Sequence, residues 1–263
     1  MSVIALGASD LAVAASLVVL DAGVSVLLKL NLHRQLLWAA ARMVVQLVIV
    51  GYLLRFILAL DDPAATFVIV ALMAAIAARE IAARPERRFA GLSGFLVSGP
   101  SVILATFLTA GLALATAIRP HPWFDPRYAI PLAGIILGSV LNAGSLALDS
   151  LLSGVRRERS AIEAQLGLGR PFRQATAPLL RESVRRGLLP IINQMSAAGL
   201  ITLPGIMTGQ IIAGMDPVEA VKYQILLMFL LAGASGLTAL SISLLALRRL
   251  TDDRQRLRLD RLR

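Results

Sequence analysis

The sequence predicts an all-α membrane protein that crosses the bilayer about seven times and carries one long charged loop on the cytoplasmic side. Three observations predict this. Hydrophobic residues make up 57% of the 263 positions and charged residues only 16%, with a mean hydropathy of +0.76, more apolar character than a soluble core requires. Seven segments approach the ~20 apolar residues that a helix needs to span a bilayer: residues 11–30, 36–58, 63–78, 89–118, 128–148, 187–203 and 220–247. The basic residues, finally, gather at alternate segment ends. Lys29, Arg34, Arg79, Arg84, Arg87, Arg88, eight arginines between 156 and 186, and the arginines from Arg248 onward share one side. Only Arg55, Arg119, Arg127 and Lys222 fall on the other, a split of 21 to 4, with Arg42 inside a segment. Positive charge accumulates on cytoplasmic loops, so the first set is cytoplasmic, the N-terminus outside and the C-terminus inside, and an odd number of crossings is required.

Composition removes several function classes. A net charge of +10 and a pI near 11.3 suit nucleic acid in a soluble protein, but these charges flank apolar runs, so no nucleic-acid partner is expected. Without cysteine there are no disulfides and no thiolate metal sites. The first apolar stretch lacks a basic leader and outruns a signal peptide, and reads as a retained span. No metalloprotease, serine-hydrolase or Walker A pattern occurs, and Gly167-Leu168-Gly169 is not followed by Gly-Lys-Ser/Thr. The chain is therefore expected to be neither an enzyme nor an ATP-binding protein, and to hold no cofactor of its own.

Taken in order, the segments carry few but informative polar groups. Asp21 sits midway along the first, and Arg42 and Gln46 share a face of the second at i and i+4. At ~1.5 Å per residue, Asp21 and Arg42 differ in depth by only about 5 Å. Either they pair within the membrane, which would mark a functional site, or Arg42 snorkels to the inner headgroups while Asp21 caps a kink beside Gly23. Asp62-Pro63 supplies an N-cap and first-turn proline for the third span, as Asp216-Pro217 does for the last. The prolines at 120, 122 and 126 end the fourth, with Trp123 suited to an outer interface. The fifth aligns Gly134, Gly138, Asn142, Ser145 and Asp149, and Ala232-x-x-x-Gly236 repeats its small-residue spacing in the last, a device for close helix packing.

The sixth is broken. Two prolines and four glycines within 188–216 free carbonyls that need partners inside the protein or in a wet cavity, and transporters place substrate at such breaks. Residues 204–215 either re-enter the membrane or lie at its outer surface. Around the break stand Asn193, Gln194, Met195, Met207, Gln210 and Met215, soft thioethers and amide oxygens that a cation could cross without being held tightly. Taken singly, each methionine is better explained as core filler, and only their clustering around the break raises the group. Asp21, Arg42, Gln46, Asn142, Asn193, Met195, Met207 and Gln210 are the candidate pathway residues, with Met195, Met207 and Gln210 as metal donors. No internal repeat is visible, so residues 1–263 form one membrane domain whose pore requires a second copy. The tail, 248–263, alternates charge with Leu257, Leu259 and Leu262 and reads as surface-lying or frayed.

The loop at 150–186 holds the polar island RRERSAIEAQLGLGRPFRQATAPLLRESVRR, residues 156–186. A connection between spans needs only a few residues, so one this long and charged does something besides connecting. A helix from Ser160 to about Leu168 would align Ile162, Leu166 and Ala161 beside Glu163, with Gly167 and Gly169 allowing close approach and a sharp turn. It either docks into another protein or lies on anionic lipid. Glu163-Ala164, six residues before Gly169, resembles the front half of the coupling motif of bacterial ABC-transporter permeases. The usual apolar-x-Leu-Pro ending is replaced here by Leu179-Leu180-Arg181-Glu182, with the proline delayed to Pro190. The resemblance makes Glu163, Ala164, Leu166, Gly167 and Gly169 the contact with a cytoplasmic ATPase.

A more specific likeness covers residues 38–229. LPGIMTGQIIAGMDPVEAVKYQI, residues 203–225, resembles the signature of the FetB-type permease family, membrane subunits assigned to iron-export ABC transporters, with plant aluminium-tolerance relatives. ARMVVQL at 41–47, GYLL at 51–54, Asp61-Asp62, and IPLAG at 130–134 leading to Gly138 agree with it. The resemblance implies a seven-span permease of the bacterial inner membrane, working as a homodimer with a separate subunit that binds ATP and magnesium, and exporting metal, iron first. Export of a lipid-linked or nucleotide-sugar molecule is the alternative within transport. Outside it stands an ATP-independent channel or carrier relaying charge through Asp21 and Arg42.

Overall fold

A computed structural model describes residues 7–60, 62–120, 122 and 125–263. Asp61, His121, Trp123 and Phe124, and with them the expected outer-interface tryptophan, lie outside the described residues. Among those described, the regular elements are helices, with isolated backbone bridges and no strand. The chain groups into two compact units, Met1–Asp61 and Asp62–Arg263.

The first unit is a helical hairpin of α1 (Ala8–Leu27) and α2 (His33–Leu60). Its turn is tied by Ser25, whose buried Oγ accepts from Leu32 N at 3.0 Å. Lys29 and Asn31 take positive φ there. Nearly every other side chain is exposed, leucine and valine included. A helix pair apolar all round suits lipid or another membrane helix, not water.

In the second unit α3 (Pro63–Ala83), α4 (Ser93–Leu112, prolonged by a wider turn Ala113–Ile118), α5 (Pro126–Arg157), α8 (Ala177–Ala197) and α10 (Pro217–Arg249) pack together, with α6 (Arg159–Gly167), α7 (Phe172–Ala175) and α9 (Gly205–Ile212) between them. The expected caps form: Asp62 accepts from Ala64 N at 3.0 Å, and Asp216 from Val218 N and Glu219 N at 2.9 and 3.2 Å. α5 is the axis. Its Ile136, Val140, Ala147, Leu151, Leu152 and Val155 are fully buried, and α3, α4, α8 and α10 all pack against it.

Among the described residues six helices are long and apolar enough to cross a membrane: α1, α2, α3, α4, α5 and α10. The seventh expected span differs. Instead of 187–203, α8 begins at Ala177, ends at Ala197, and carries Arg181, Glu182, Arg185 and Arg186 in its first half. The helix runs on through Gly187 and Pro190, and an i,i+4 bond at 2.7 Å from Arg186 to Glu182 supports its charged half. After Ala197 the chain folds into a tight turn in which Ile201 N and Thr202 N both donate to Ala197 O, and Gly199 N to Thr202 O. The turn is thus closed by its own backbone bonds, and α9 follows.

Small residues decide how closely α8 approaches. The glycines read from their spacing are loosely met: a Cβ at Gly138 would touch nothing, and one at Gly236 would sit at an ordinary 3.8 Å from Leu188. The tight position is Gly187, where an added Cβ would lie 2.8 Å from Ala239 Cβ, 2.9 Å from the Ala143 carbonyl oxygen and 3.1 Å from Ala147 Cβ. One turn earlier, Ser183 and Ser243 share a buried hydrogen bond of 3.0 Å. Gly187 therefore lets α8 seat between α5 and α10.

The tail is neither frayed nor lying on a surface. Leu257, Leu259 and Leu262 pack against the core, and the segment pairs with the α3–α4 connection: Arg263 N donates to Arg88 O at 2.8 Å and Ala90 N to Arg261 O at 3.0 Å. Arg261 Nη1 donates to the carbonyls of Arg249 and Thr251 at 2.6 and 3.3 Å, closing the C-terminal end of α10 where a cation is favoured. The alternation of charge and leucine thus marks a strap, leucines inward. Its first turn is held by Asp252 Oδ1, which accepts from Arg254 N and Arg256 N at 3.0 and 2.9 Å. Those bonds, the Arg256 amide first, hold the Asp252 carboxyl below the usual aspartate range. A depressed folded value contributes stability that is complete above the ordinary pKa of about 3.9 and is lost as pH falls through the lower value. Hydrogen-exchange protection of the Arg254 and Arg256 amides, corrected for intrinsic rate, should stay level down to about pH 4 and decline only below it. Asp252→Asn should weaken it above about pH 4, the difference closing as pH falls and Asp252 protonates; equal protection in that variant at neutral pH would show the carboxylate is dispensable.

Candidate functional site

Within the polar island the expected short helix forms. α6 spans Arg159–Gly167 and ends in a paired closure: Arg170 N donates to Gln165 O at 3.0 Å and Gly169 N to Leu166 O at 2.9 Å. Gly169 makes this possible at φ +82°, in the left-handed region, where a residue with a Cβ costs about 1–2 kcal/mol. Ile162, 2% exposed, anchors the inner face, and Leu166, half-buried, packs beside it. The face left open is Ala161, Ala164 and Leu168, the last 82% exposed. Ala161 was expected with Ile162 and Leu166; a four-residue register puts it on the opposite side. Glu163 is exposed and pairs with Arg159 at 2.8 Å, and Gly167 is exposed too. α6 is thus a helix closed at its C-terminal end, rooted by two aliphatic side chains and exposing a small-residue stripe with a protruding leucine.

The residues expected along a pathway separate. Asp21, Arg42 and Gln46 are exposed on the hairpin unit. In the second unit Asn142 on α5 and Asn193, Gln194 and Met195 on α8 are exposed, while Met207 and Gln210 on α9 are half-buried. Amides cannot be left facing hydrocarbon, so the exposed ones require a polar space or another chain. Asp149, aligned with Asn142 from its spacing, is structural, its Oδ1 accepting from Glu86 N at 3.3 Å.

Two acceptors are buried and unpartnered on α9 and α10, which pack together: Gln210 Oε1 and Gln224 Oε1. Gln224, 8% exposed, escaped notice because a single amide in an apolar run carries no pattern. The available signal was its place on the stripe Ala220, Gln224, Met228 and Leu231, all buried, spaced to face the core. A buried orphan carbonyl costs about 1–3 kcal/mol and is satisfied by a cation or by a hydroxyl or amine donor. Among the described residues no group of three or more His, Asp or Glu is placed to hold a metal.

Helices, caps and polar break define the class, an all-α multi-pass membrane protein. The chain belongs to the uncharacterised protein family UPF0014, whose model matches residues 8–251. It is 40% identical to the UPF0014 membrane protein slr1647 of Synechocystis over 87% of each chain. It is 34% identical to the Escherichia coli protein named "Probable iron export permease protein FetB", over 94% of this chain and 93% of that one. With Protein ALUMINUM SENSITIVE 3 of Arabidopsis thaliana it shares 28% identity over 81% of this chain and 76% of the relative. No solved structure matches.

Proposed function

We propose that this chain is the membrane subunit of an ABC exporter, working as a homodimer with two copies of a cytoplasmic ATPase that binds ATP and magnesium. The observation that carries the reading is α6, a capped and rooted helix with Ala161, Ala164 and Leu168 uncovered. In this reading residues 1–263 form one permease domain in a bacterial cytoplasmic membrane, N-terminus outside and C-terminus inside. Residues 187–197 of α8 and the eight of α9 cover roughly 16 and 12 Å at ~1.5 Å per residue. Together they complete a seventh crossing, broken at mid-depth. Force on α6 reaches α8 through α5 and tilts that broken crossing.

Iron is the first cargo to test, since a relative with matching length is named for its export. The amide carbonyls of Gln210 and Gln224, with Met207 nearby in sequence, are weak neutral donors that let a cation pass. Those same carbonyls suit a hydroxyl-rich solute, which keeps a sugar-bearing cargo as the second reading.

The test is vanadate-sensitive ATP hydrolysis by the chain purified with its candidate ATPase in lipid, with and without ferrous iron. Stimulation by iron that is lost on chelation is expected; a complex that hydrolyses ATP but ignores metals removes iron as cargo, and absence of a complex removes the coupling role. Gln224→Leu is the companion variant. It deletes an orphan acceptor, so thermal stability should hold or rise, while cargo-stimulated hydrolysis falls about tenfold, the scale of one lost ~1.4 kcal/mol contact. Unchanged stimulation would take Gln224 out of the pathway.

A further inference from the structure

The C-terminal strap meets the coupling loop at one point. Gln255 Oε1 accepts from Phe172 N at 2.8 Å, across 83 residues of sequence, and Gln255 is presented by a turn in which it takes φ +56°. Phe172, buried, roots the loop just after Pro171. The strap is also paired to the α3–α4 connection and capped onto α10 by Arg261. A single segment thereby joins the coupling loop, the end of α10 and the α3–α4 connection, and the end of α10 meets α4 beside it, where Arg249 Nη2 donates to Ser93 Oγ at 2.9 Å.

Between the strap and the loop lies a groove of about 480 Å³. Leu166, Gly169 and Arg170 form its loop wall, and Asp253, Arg254 and Arg256 its strap wall, giving three guanidinium groups against one carboxylate. Arg256 is engaged by Asp252 at 2.9 Å. Arg170 and Arg254 are exposed, and Arg254 makes no ion pair among the described residues. The groove continues from α6, sharing Leu166 and Gly169 with it.

We infer that the C-terminal strap is the second half of the ATPase-docking surface, its groove accepting an acidic segment of that subunit while Gln255 latches the strap to the coupling loop. This rests on the proposed ATPase partnership. Charge selects the occupant: a net basic cleft against an aliphatic wall attracts a carboxylate-bearing chain. Continuity selects its source, because a partner covering Ala164 and Leu168 reaches Gly169 and Arg170 next. A push on α6 is then delivered to α4 and α10 through the strap as well as to α5 and α8 directly.

The test measures binding of the ATPase identified by the hydrolysis assay to the full-length permease in uncharged detergent, at several salt concentrations. Arg254→Glu should weaken binding about tenfold, the loss shrinking as salt rises, while Arg254→Lys binds within about twofold of the wild type. Gln255→Ala should assemble but lose most of the stimulation of hydrolysis, since the latch and not the charge is removed. Ala164→Glu, on α6, serves as the reference. If Arg254→Glu binds normally while Ala164→Glu does not, α6 alone carries the interface and the strap proposal falls with the partnership intact. If neither substitution weakens binding, the ATPase docks elsewhere, and both α6 and the strap are removed from its interface. If Arg254→Glu alters only adhesion to vesicles containing phosphatidylglycerol, and not ATPase binding, the strap is a lipid contact and the proposal is overturned.

Discussion

Replacing Gly187 by leucine is expected to abolish the folded protein, and replacing it by alanine to lower its thermal midpoint measurably. The position faces three atoms that cannot move aside cheaply: a backbone carbonyl oxygen at 2.9 Å and two alanine Cβ atoms at 2.8 and 3.1 Å from the Cβ that would be added. Even one methyl must push α8 away from α5 and α10 together. Overpacking a filled interior costs about 1–3 kcal/mol per extra group, and the nearby Ser183–Ser243 hydrogen bond would lengthen with the shift. Size-exclusion profiles of detergent extracts after heating provide the readout. Gly233→Ala is the control. It is exposed with nothing within 4 Å of its added Cβ, so it should be neutral or stabilising by up to about 1 kcal/mol through helix propensity. If Gly187→Leu extracts and melts like the wild type, α8 does not seat between α5 and α10 as described.

Gly169→Val is expected to do the reverse, leaving the fold nearly intact while uncoupling the chain from ATP hydrolysis. Nothing lies within 4 Å of a Cβ at this position, so no packing is lost. A β-branched residue resists positive φ, and the two bonds that close α6, Arg170 N to Gln165 O and Gly169 N to Leu166 O, would open. The end of the helix would fray, carrying Leu168 and the groove wall at Arg170 with it. ATPase stimulation in the reconstituted complex should fall at least tenfold with a thermal midpoint close to wild type. Asparagine, which tolerates the left-handed region, should retain much of the activity. Equal loss with asparagine and valine would mean that the side chain, not the backbone, is the obstacle.

The helical class, the caps at Asp62 and Asp216 and the short helix α6 were legible because each depends on neighbours in sequence. An Asp-Pro pair closes its own first turn, and Glu163-Ala164 with Gly169 lies within two turns of one helix. Family likeness was legible for the same reason, through an unbroken run at 203–225. What escaped were features that depend on which residues meet. Spacing pointed to Gly134 and Gly138, yet Gly187 is the tight contact, since a close approach is a property of two surfaces. The start of α8 at Ala177 was hidden by charges that suggested a loop, although Glu182 and Arg186 sit at helical spacing.

By itself, then, the sequence determined that this chain is a helical membrane protein with one long charged connection between its apolar segments. Hydrophobic burial in lipid is set by runs of about 20 residues and the loop's helix by local bonds, both readable along one strand of text. Only the tertiary structure decided that Leu257, Leu259 and Leu262 turn inward, that Gln255 reaches Phe172, and that Gln210 and Gln224 bury unpartnered carbonyls on packed helices. Those outcomes rest on the free energy of contacts between distant segments, in which an apolar face finds a core or a polar atom fails to find a partner. No local pattern carries that information.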